Sequence, residues 1–315
     1  MLRFVARRLV ILVVTLLVSS FVIFSALYVA PGNPIAVLSG GRSLPPSSIA
    51  ILEQRYHLND PFFVRYVDWV KGAVHGDFGV SIALHEDVSS LITARIGTTL
   101  ELVAYASILI LLFGIGLGLL GALRPGPIDT SVIVITAISA ALPAFVAAVV
   151  LQTVFAVNLG WFPATGNGVG VVDQVRHLTL PAFSLAVGSL ALVARVTRAS
   201  VREEAGKEHV QTAISRGIPY GLVVRRHVLR NAAIPITTVA GITIASLIAI
   251  DTVVETAFSL NGLGSYLVTS ASNKDFAVVQ GISLVLVTIF VVINTIVDIL
   301  YAVLDPRVKL GSRAL

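Results

Sequence analysis

Apolar residues in this chain come in long unbroken runs rather than in the stripes of a water-soluble domain. Six windows approach the roughly 20 mostly apolar residues that cross a bilayer: near Leu9–Val29, Leu100–Leu123, Val132–Val157, Leu180–Val196, Ile234–Val254 and Val278–Leu304. Between the first two lies 31–97, the one stretch with soluble-domain character. There, Pro-rich turns (PGNP, SLPPSS) precede ILEQRYHL and PFFVRYVDWVKGAV, whose apolar residues fall at helical spacing. Between the fourth and fifth lies a charged segment, VREEAGKEHVQTAISRGIPYGLVVRRHVLRNAAIPI, at 201–236. The pattern predicts an all-α integral membrane protein with six transmembrane helices. Residues 1–30 form a tail and first span, 31–97 an external helical insert, and 98–315 a five-helix core with a polar loop at about 200–232.

Composition agrees with a bilayer setting: 56% of the 315 residues are hydrophobic and 12% charged, with a mean hydropathy of +0.92. The net charge of +5 comes with few aromatics, and these are not interleaved with Lys or Arg, which argues against a nucleic-acid partner. The absence of cysteine excludes disulfides, thiolate metal sites and cysteine nucleophiles together. Arg3, Arg7 and Arg8 precede the first run, but Leu9–Val29 exceeds the about 7 to 15 residues of a signal-peptide core and reads as a retained span. Fifteen of the 22 Lys and Arg fall at the termini, at Arg124 and within 195–232; five of the others fall in 31–97, too long a segment for the positive-inside bias to act on. Both termini are therefore expected in the cytoplasm. Within the spans, the Gly114/Gly118 spacing invites close approach of another helix, and Pro143 predicts a kink.

Familiar chemistry is mostly missing. LSGGR at 38–42 looks like the LSGGQ signature of ATP-binding cassette ATPases, but no phosphate-cradling loop accompanies it. The Gly206-Lys207 pair has Val201 where such a loop needs its first glycine, and Glu208 follows. The chain is not expected to bind ATP, any other cofactor or a metal. The six histidines form no i, i+4 pair or HExxH pattern, and no G-x-S-x-G elbow occurs, so no catalytic set is visible. Asp251 and Glu255, one helical turn apart near the outer end of the fifth span, have two readings. They form a proton or cation site, or they sit at the wet external mouth of a pathway and fix the loop that follows. Nearness to the interface, where charge costs less, favours the second.

The 201–236 segment has a finer pattern. EEAGKEHVQTAISR is a good helix former that ends at Gly217, and Pro219 starts a second helix. Val210, Ala213 and Ile214 make a small apolar face, with Glu203, Glu204, Lys207 and Glu208 supplying charge around it. A solvated topology loop explains the charges, but neither the glycine–proline break nor the face.

This elbow resembles the EAA loop of permease subunits in ATP-binding cassette importers of the dipeptide/oligopeptide family. The Glu-Ala-Ala positions are held by Gln211, Thr212 and Ala213, and the spaced glycine is Gly217. The peptide-permease form of the loop fits better, through Thr212-Ala213, Arg216-Gly217, Arg226-His227, Leu229-Arg230-Asn231-Ala232 and Pro235. PGNP at 31–34, GDFGVSI at 76–82, RIGTTLEL at 95–102, LPAF at 180–183, ETAFSLNGLG at 255–264, DFAVVQG at 275–281 and LDPRV at 304–308 are similar to B-type subunits of these importers. Asn261 stands where the family commonly has proline before Gly262.

The resemblance implies a multi-pass permease of the bacterial cytoplasmic membrane that imports di- or oligopeptides. Its partners would be a second, similar permease, two cytoplasmic ATPases that use ATP and Mg, and an external substrate-binding protein. Val210, Gln211, Thr212, Ala213, Ile214 and Gly217 would form the coupling helix seated on one ATPase. Asp251, Glu255, Asn261, Gly262 and Gly264 would lie at the external gate. Importers of nickel chelates or glutathione share the architecture. An ion-coupled transporter using Asp251 and Glu255 would be expected to show internal repeats and a broken-helix ion site, and neither is apparent in the sequence.

Overall fold

A computed structural model describes residues 2–29, Pro45 and 60–304. PGNP, LSGGR and ILEQRYHL lie outside the described residues, as do Arg42, Arg55 and everything after Leu304. The described residues are helical, with no strand beyond one isolated bridge between Val80 and Asp87.

Helix α1 spans Leu2–Val29 and α2 Phe62–Val74. α3 runs over Val88–Leu123, α4 over Pro127–Ala141, α5 over Ala144–Asn158 and α6 over Val171–Ala205. α7 is Glu208–Ser215, α8 Tyr220–Ala257, α9 Leu263–Ser272 and α10 Phe276–Leu304. Single π turns interrupt α3 at Ile110–Ile115 and α8 at Val224–Val228.

Among the described residues, five helices (α1, α3, α6, α8 and α10) are long and apolar enough to cross a membrane, and α4 with α5 makes a sixth crossing only if the bent pair counts as one. The bend is 101°. Pro143 expels the preceding residue from helical geometry, and Leu142 is extended at φ −86°, ψ 113°. The kink expected from the sequence is thus a full break, and each arm, at about 1.5 Å per residue, is too short to cross alone. Pro181 and Pro235 sit inside unbroken helices.

α3, α6 and α8 exceed their apolar windows. By the rise of about 1.5 Å per residue, α6 and α8 each measure roughly 50 Å or more, against a hydrocarbon core of about 30 Å. Both therefore project beyond the bilayer, and α7 joins their projecting ends. α6 is the central element, packed against α3, α4, α5 and α8, and Ala182, Ala186, Ala191 and Ala194 are fully buried along it. The small-residue spacing of α3 serves this contact. A Cβ on Gly114 would sit 3.1 Å from Val193, and one on Gly118 would press into Thr197 and lie 2.7 Å from the Ala194 carbonyl oxygen.

α1 packs on α10 and leaves Val10, Val14, Val18 and Val22 exposed at i, i+4 spacing, an apolar stripe suited to lipid. Its C-terminal half carries the described part of the insert. Phe21, Phe24 and Tyr28 stack edge-on with Phe62 and Tyr66, and the Ser20 and Tyr66 hydroxyls lie 2.9 Å apart.

Candidate functional site

Two sites gather the residues singled out above, one at each end of α8. The first is the α6–α7–α8 elbow. Lys207 precedes α7 in extended geometry, and Gly217 ends it at φ +75°, the left-handed conformation that favours glycine. Its amide donates to the Ile214 carbonyl and that of Ile218 to Ala213, closing the helix end before Pro219 opens α8.

Val210 and Ala213 are buried, but within the chain itself: they pack with Val201, Val223, Val228 and Ala232. Ile214 is 41% exposed, and Gln211, Thr212 and Gly217 are also on the surface. The small apolar face expected from the sequence is therefore split. Its i, i+3 pair docks α7 onto α6 and α8, and the exposed face carries Gln211, Thr212, Ile214 and Ser215.

The second site closes the C-terminal end of α8. Glu255 is fully buried and Asp251 nearly so, which differs from the wet mouth expected; Thr99 of α3 and the 260–265 turn cover Glu255. The Glu255 carboxylate accepts the Thr99 hydroxyl at 2.5 Å and the Ser265 amide at 2.8 Å. Thr99 in turn accepts the Leu263 amide at 2.8 Å. Gly262 makes this possible, since a Cβ there would collide with the Glu255 carboxylate, and one on Gly264 would lie 2.6 Å from the Cα of Thr252. Asn261 donates its amide to Asn167 Oδ1 at 2.8 Å, and Asn167 donates to Thr98 at 2.8 Å. Proline at 261 has no amide to give, so the departure from the family pattern adds a tie to the turn. No hydrogen-bond donor among the described residues reaches the Asp251 carboxylate oxygens.

A broken helix does exist, but in α4 and α5, whereas both acids lie on the continuous α8. Among the described residues, no group of three or more His, Asp or Glu is placed to hold a metal ion.

The model of the binding-protein-dependent transport system inner membrane component family matches residues 92–310, and that of its N-terminal part matches 1–103. The chain belongs to this family. The importer permease is 33% identical to the dipeptide transport system permease protein DppB of Alkalihalophilus pseudofirmus, over 98% of the chain and all of that protein. It is 38% identical to the oligopeptide transport system permease protein AppB of Bacillus subtilis, over 92% and 93% respectively. OppB of Salmonella typhimurium, an oligopeptide transport system permease protein, is 32% identical over 98% of the chain and its own full length. Inward-facing structures of the MetNI methionine ABC transporter share the fold: one chain superposes with a TM-score of 0.57 at 19% identity, over 68% of the permease and 96% of itself. The permease is thus the membrane subunit of an ATP-binding cassette importer.

The structure also gives partners to charged groups of the permease that the sequence reading counted towards topology (Arg198, Arg202), set around the apolar face of the elbow (Glu204) or left without a role of their own (Asp129, Asp275). Asp129, in the first turn of α4, is gripped by Arg198, in part at 2.8 Å, and by Arg202 at 2.7 Å, and Arg202 also donates to the Gly121 carbonyl. This carboxylate ties α4 and the end of α3 to α6. Glu204, at the end of α6, is 5% exposed. On the opposite face, Asp275 is buried and accepts the Ser81 hydroxyl at 2.5 Å and the Ala83 amide at 3.2 Å. Its neighbour Gly281 leaves room for Phe78 and Val88, so the GDFGVSI and DFAVVQG motifs clasp each other.

Proposed function

We propose that the permease forms half of the inward translocation pathway for di- or oligopeptides, and that α7 is the lever through which a separate cytoplasmic ATPase drives it. The observation that carries the substrate class is the 32–38% identity, over nearly the whole chain, to permeases named for dipeptide and oligopeptide transport. The lever reading rests on the elbow. A short helix clamped to the ends of two helices, each longer than the bilayer is thick, moves with them as one body. Its outward face, Gln211, Thr212, Ile214 and Ser215, has the mixed apolar and polar character of a docking surface. ATP and Mg belong to the partner ATPases in this scheme, and a second permease completes the pathway. The Lys and Arg distribution supports a cytoplasmic elbow and cytoplasmic termini, and in this reading an external binding protein delivers substrate to the opposite face. Binding of ATP by the partners then shifts the helices between two states through differential contacts at the elbow.

Reconstitution tests this. The chain is placed in proteoliposomes with its second permease, ATPases and binding protein, and uptake of labelled di- and oligopeptides is measured beside a nickel chelate and glutathione. ATP-dependent peptide uptake that stops when the chain is omitted is the expected result. Uptake of the chelate or of glutathione with no peptide uptake would overturn the substrate class.

A further inference from the structure

The elbow is built around one buried carboxylate. Glu204 ends α6 at 5% exposure, and its oxygens are fully engaged by groups from the segments that make the elbow. Lys207, the residue before α7, donates to Oε2 at 2.5 Å. Asn231 of α8 donates to Oε1 at 2.7 Å, and His209 of α7 lies 3.3 Å from that same oxygen. Asn231 also donates at 3.0 Å to the carbonyl of His227, a residue of the π turn of α8. Beneath the carboxylate, Val201, Val210, Val228 and Ala232 form the apolar floor.

The apolar floor alone allows α7 to rock, because hydrophobic contact is non-directional. Charge-assisted hydrogen bonds are directional and about twice as strong as neutral ones. A carboxylate with short bonds to Lys207 and Asn231 and His209 beside it therefore fixes the angle of α7 relative to α6 and α8. We propose that Glu204 is the positioning residue of the lever: it makes α7 rigid with the spans, so that displacement of α7 by an ATPase reaches them undiminished. The proposal rests on the lever reading of α7. The hydrogen bond from Lys207 to Glu204 holds the lysine above its ordinary titration range. Glu203, by contrast, approaches Lys207 only to 3.9 Å and is largely exposed.

The test uses the whole importer in proteoliposomes and reads peptides imported per ATP hydrolysed, a ratio that a mere loss of folded protein does not change. Glu204→Gln keeps the shape and gives up the charge. It should leave the amount of assembled complex unchanged while the ratio falls about tenfold, the scale of one lost charge-assisted hydrogen bond. Glu203→Gln should leave the ratio unaltered, and exchanging the pair (Glu204→Lys with Lys207→Glu) should recover part of it. An unaltered ratio in Glu204→Gln overturns the proposal. If that variant fails to assemble, Lys207→Met decides: a reduced ratio supports the role, and an unaltered one overturns it. Ile214→Arg separates the two readings, since its charge falls on the outward face and leaves the Glu204 cluster alone. Normal ATPase binding and transport in Ile214→Arg would sink the lever itself, whereas lost ATPase binding there beside an unaltered ratio in Glu204→Gln would sink only the proposal.

Discussion

Gly262→Ala tests whether the C-terminal end of α8 is held by a buried carboxylate. The added methyl would collide with both oxygens and the carbon of the Glu255 carboxyl group, and Glu255, fully buried, has no solvent to retreat into. The carboxylate has to leave its place and give up the Thr99 hydroxyl and the Ser265 amide. Hydrogen bonds to charged groups contribute about 1.5–3 kcal/mol each, so the substitution should cost about 3 kcal/mol or more, far above the few tenths usual for a surface Gly→Ala change. A double-mutant cycle isolates the cause. In a Glu255→Ala background the obstructing group is gone, and Gly262→Ala should then cost less than about 1 kcal/mol, a coupling of about 2 kcal/mol, within the range seen for residues in contact. The assay is reversible unfolding of the purified chain in mixed micelles by denaturing detergent, for the parent, both single variants and the double. An equal cost for Gly262→Ala in both backgrounds would refute the reasoning, because the penalty would then come from the turn backbone and not from the carboxylate.

Gly217 has open space around its missing side chain, so only its left-handed backbone (φ +75°) penalises substitution. Transport should fall in the order Asn, Ala, Val as the cost rises towards the about 1–2 kcal/mol of a β-carbon in that conformation, with membrane abundance unchanged; Val transporting as well as Asn would remove the conformational argument. For topology, the chain contains no cysteine, so single cysteines at the exposed Ser215 and Ser272 report sidedness without background. An impermeant thiol reagent added to intact cells should label Ser272→Cys and spare Ser215→Cys, and equal labelling would contradict the orientation drawn from Lys and Arg.

The apolar runs made the spans legible, because a bilayer leaves the backbone only its own hydrogen bonds and so demands long helices. The helix at 62–74 and the close approach at Gly114 and Gly118 were legible for similar reasons, in periodicity and spacing. The extra length of α3 was hidden, since Ser89, Ser90, Thr93 and Arg95 at its start look like loop residues until Val88, Leu91 and Ile92 are seen buried beside them. Pro143 announced a bend but not its size, which depends on what α5 packs against. The buried charges were least legible. Arg198 meets Asp129 across 69 residues, Asn231 meets Glu204 across 27 and Ser81 meets Asp275 across 194. An acid in a polar stretch reads the same in sequence whether it faces water or a partner that the fold brings from elsewhere. Ala213 illustrates the converse: its apolar face was visible, but whether it served the chain or a partner depended on α8 lying beneath it.

The two candidate sites share a single rigid element. α8 runs unbroken from the elbow at Tyr220 to the closure at Glu255, roughly 50 Å at about 1.5 Å per residue. Towards its N-terminal end Asn231 binds the Glu204 carboxylate, and towards its C-terminal end Glu255 binds the turn that caps the opposite face. A helix spliced into hydrogen-bond networks at both ends transmits a tilt rather than absorbing it, provided nothing between them yields. Pro235 and the π turn at Val224–Val228 are the two places where it could. Both lie in the N-terminal half, and the π turn directly precedes the segment that carries Asn231. Bending there is opposed by the Asn231 bonds to Glu204 and to the His227 carbonyl. Under the proposed function, the inner network therefore does more than hold α7. It stiffens the part of α8 most able to bend, so that the element joining a cytoplasmic lever to an external closure moves as one piece.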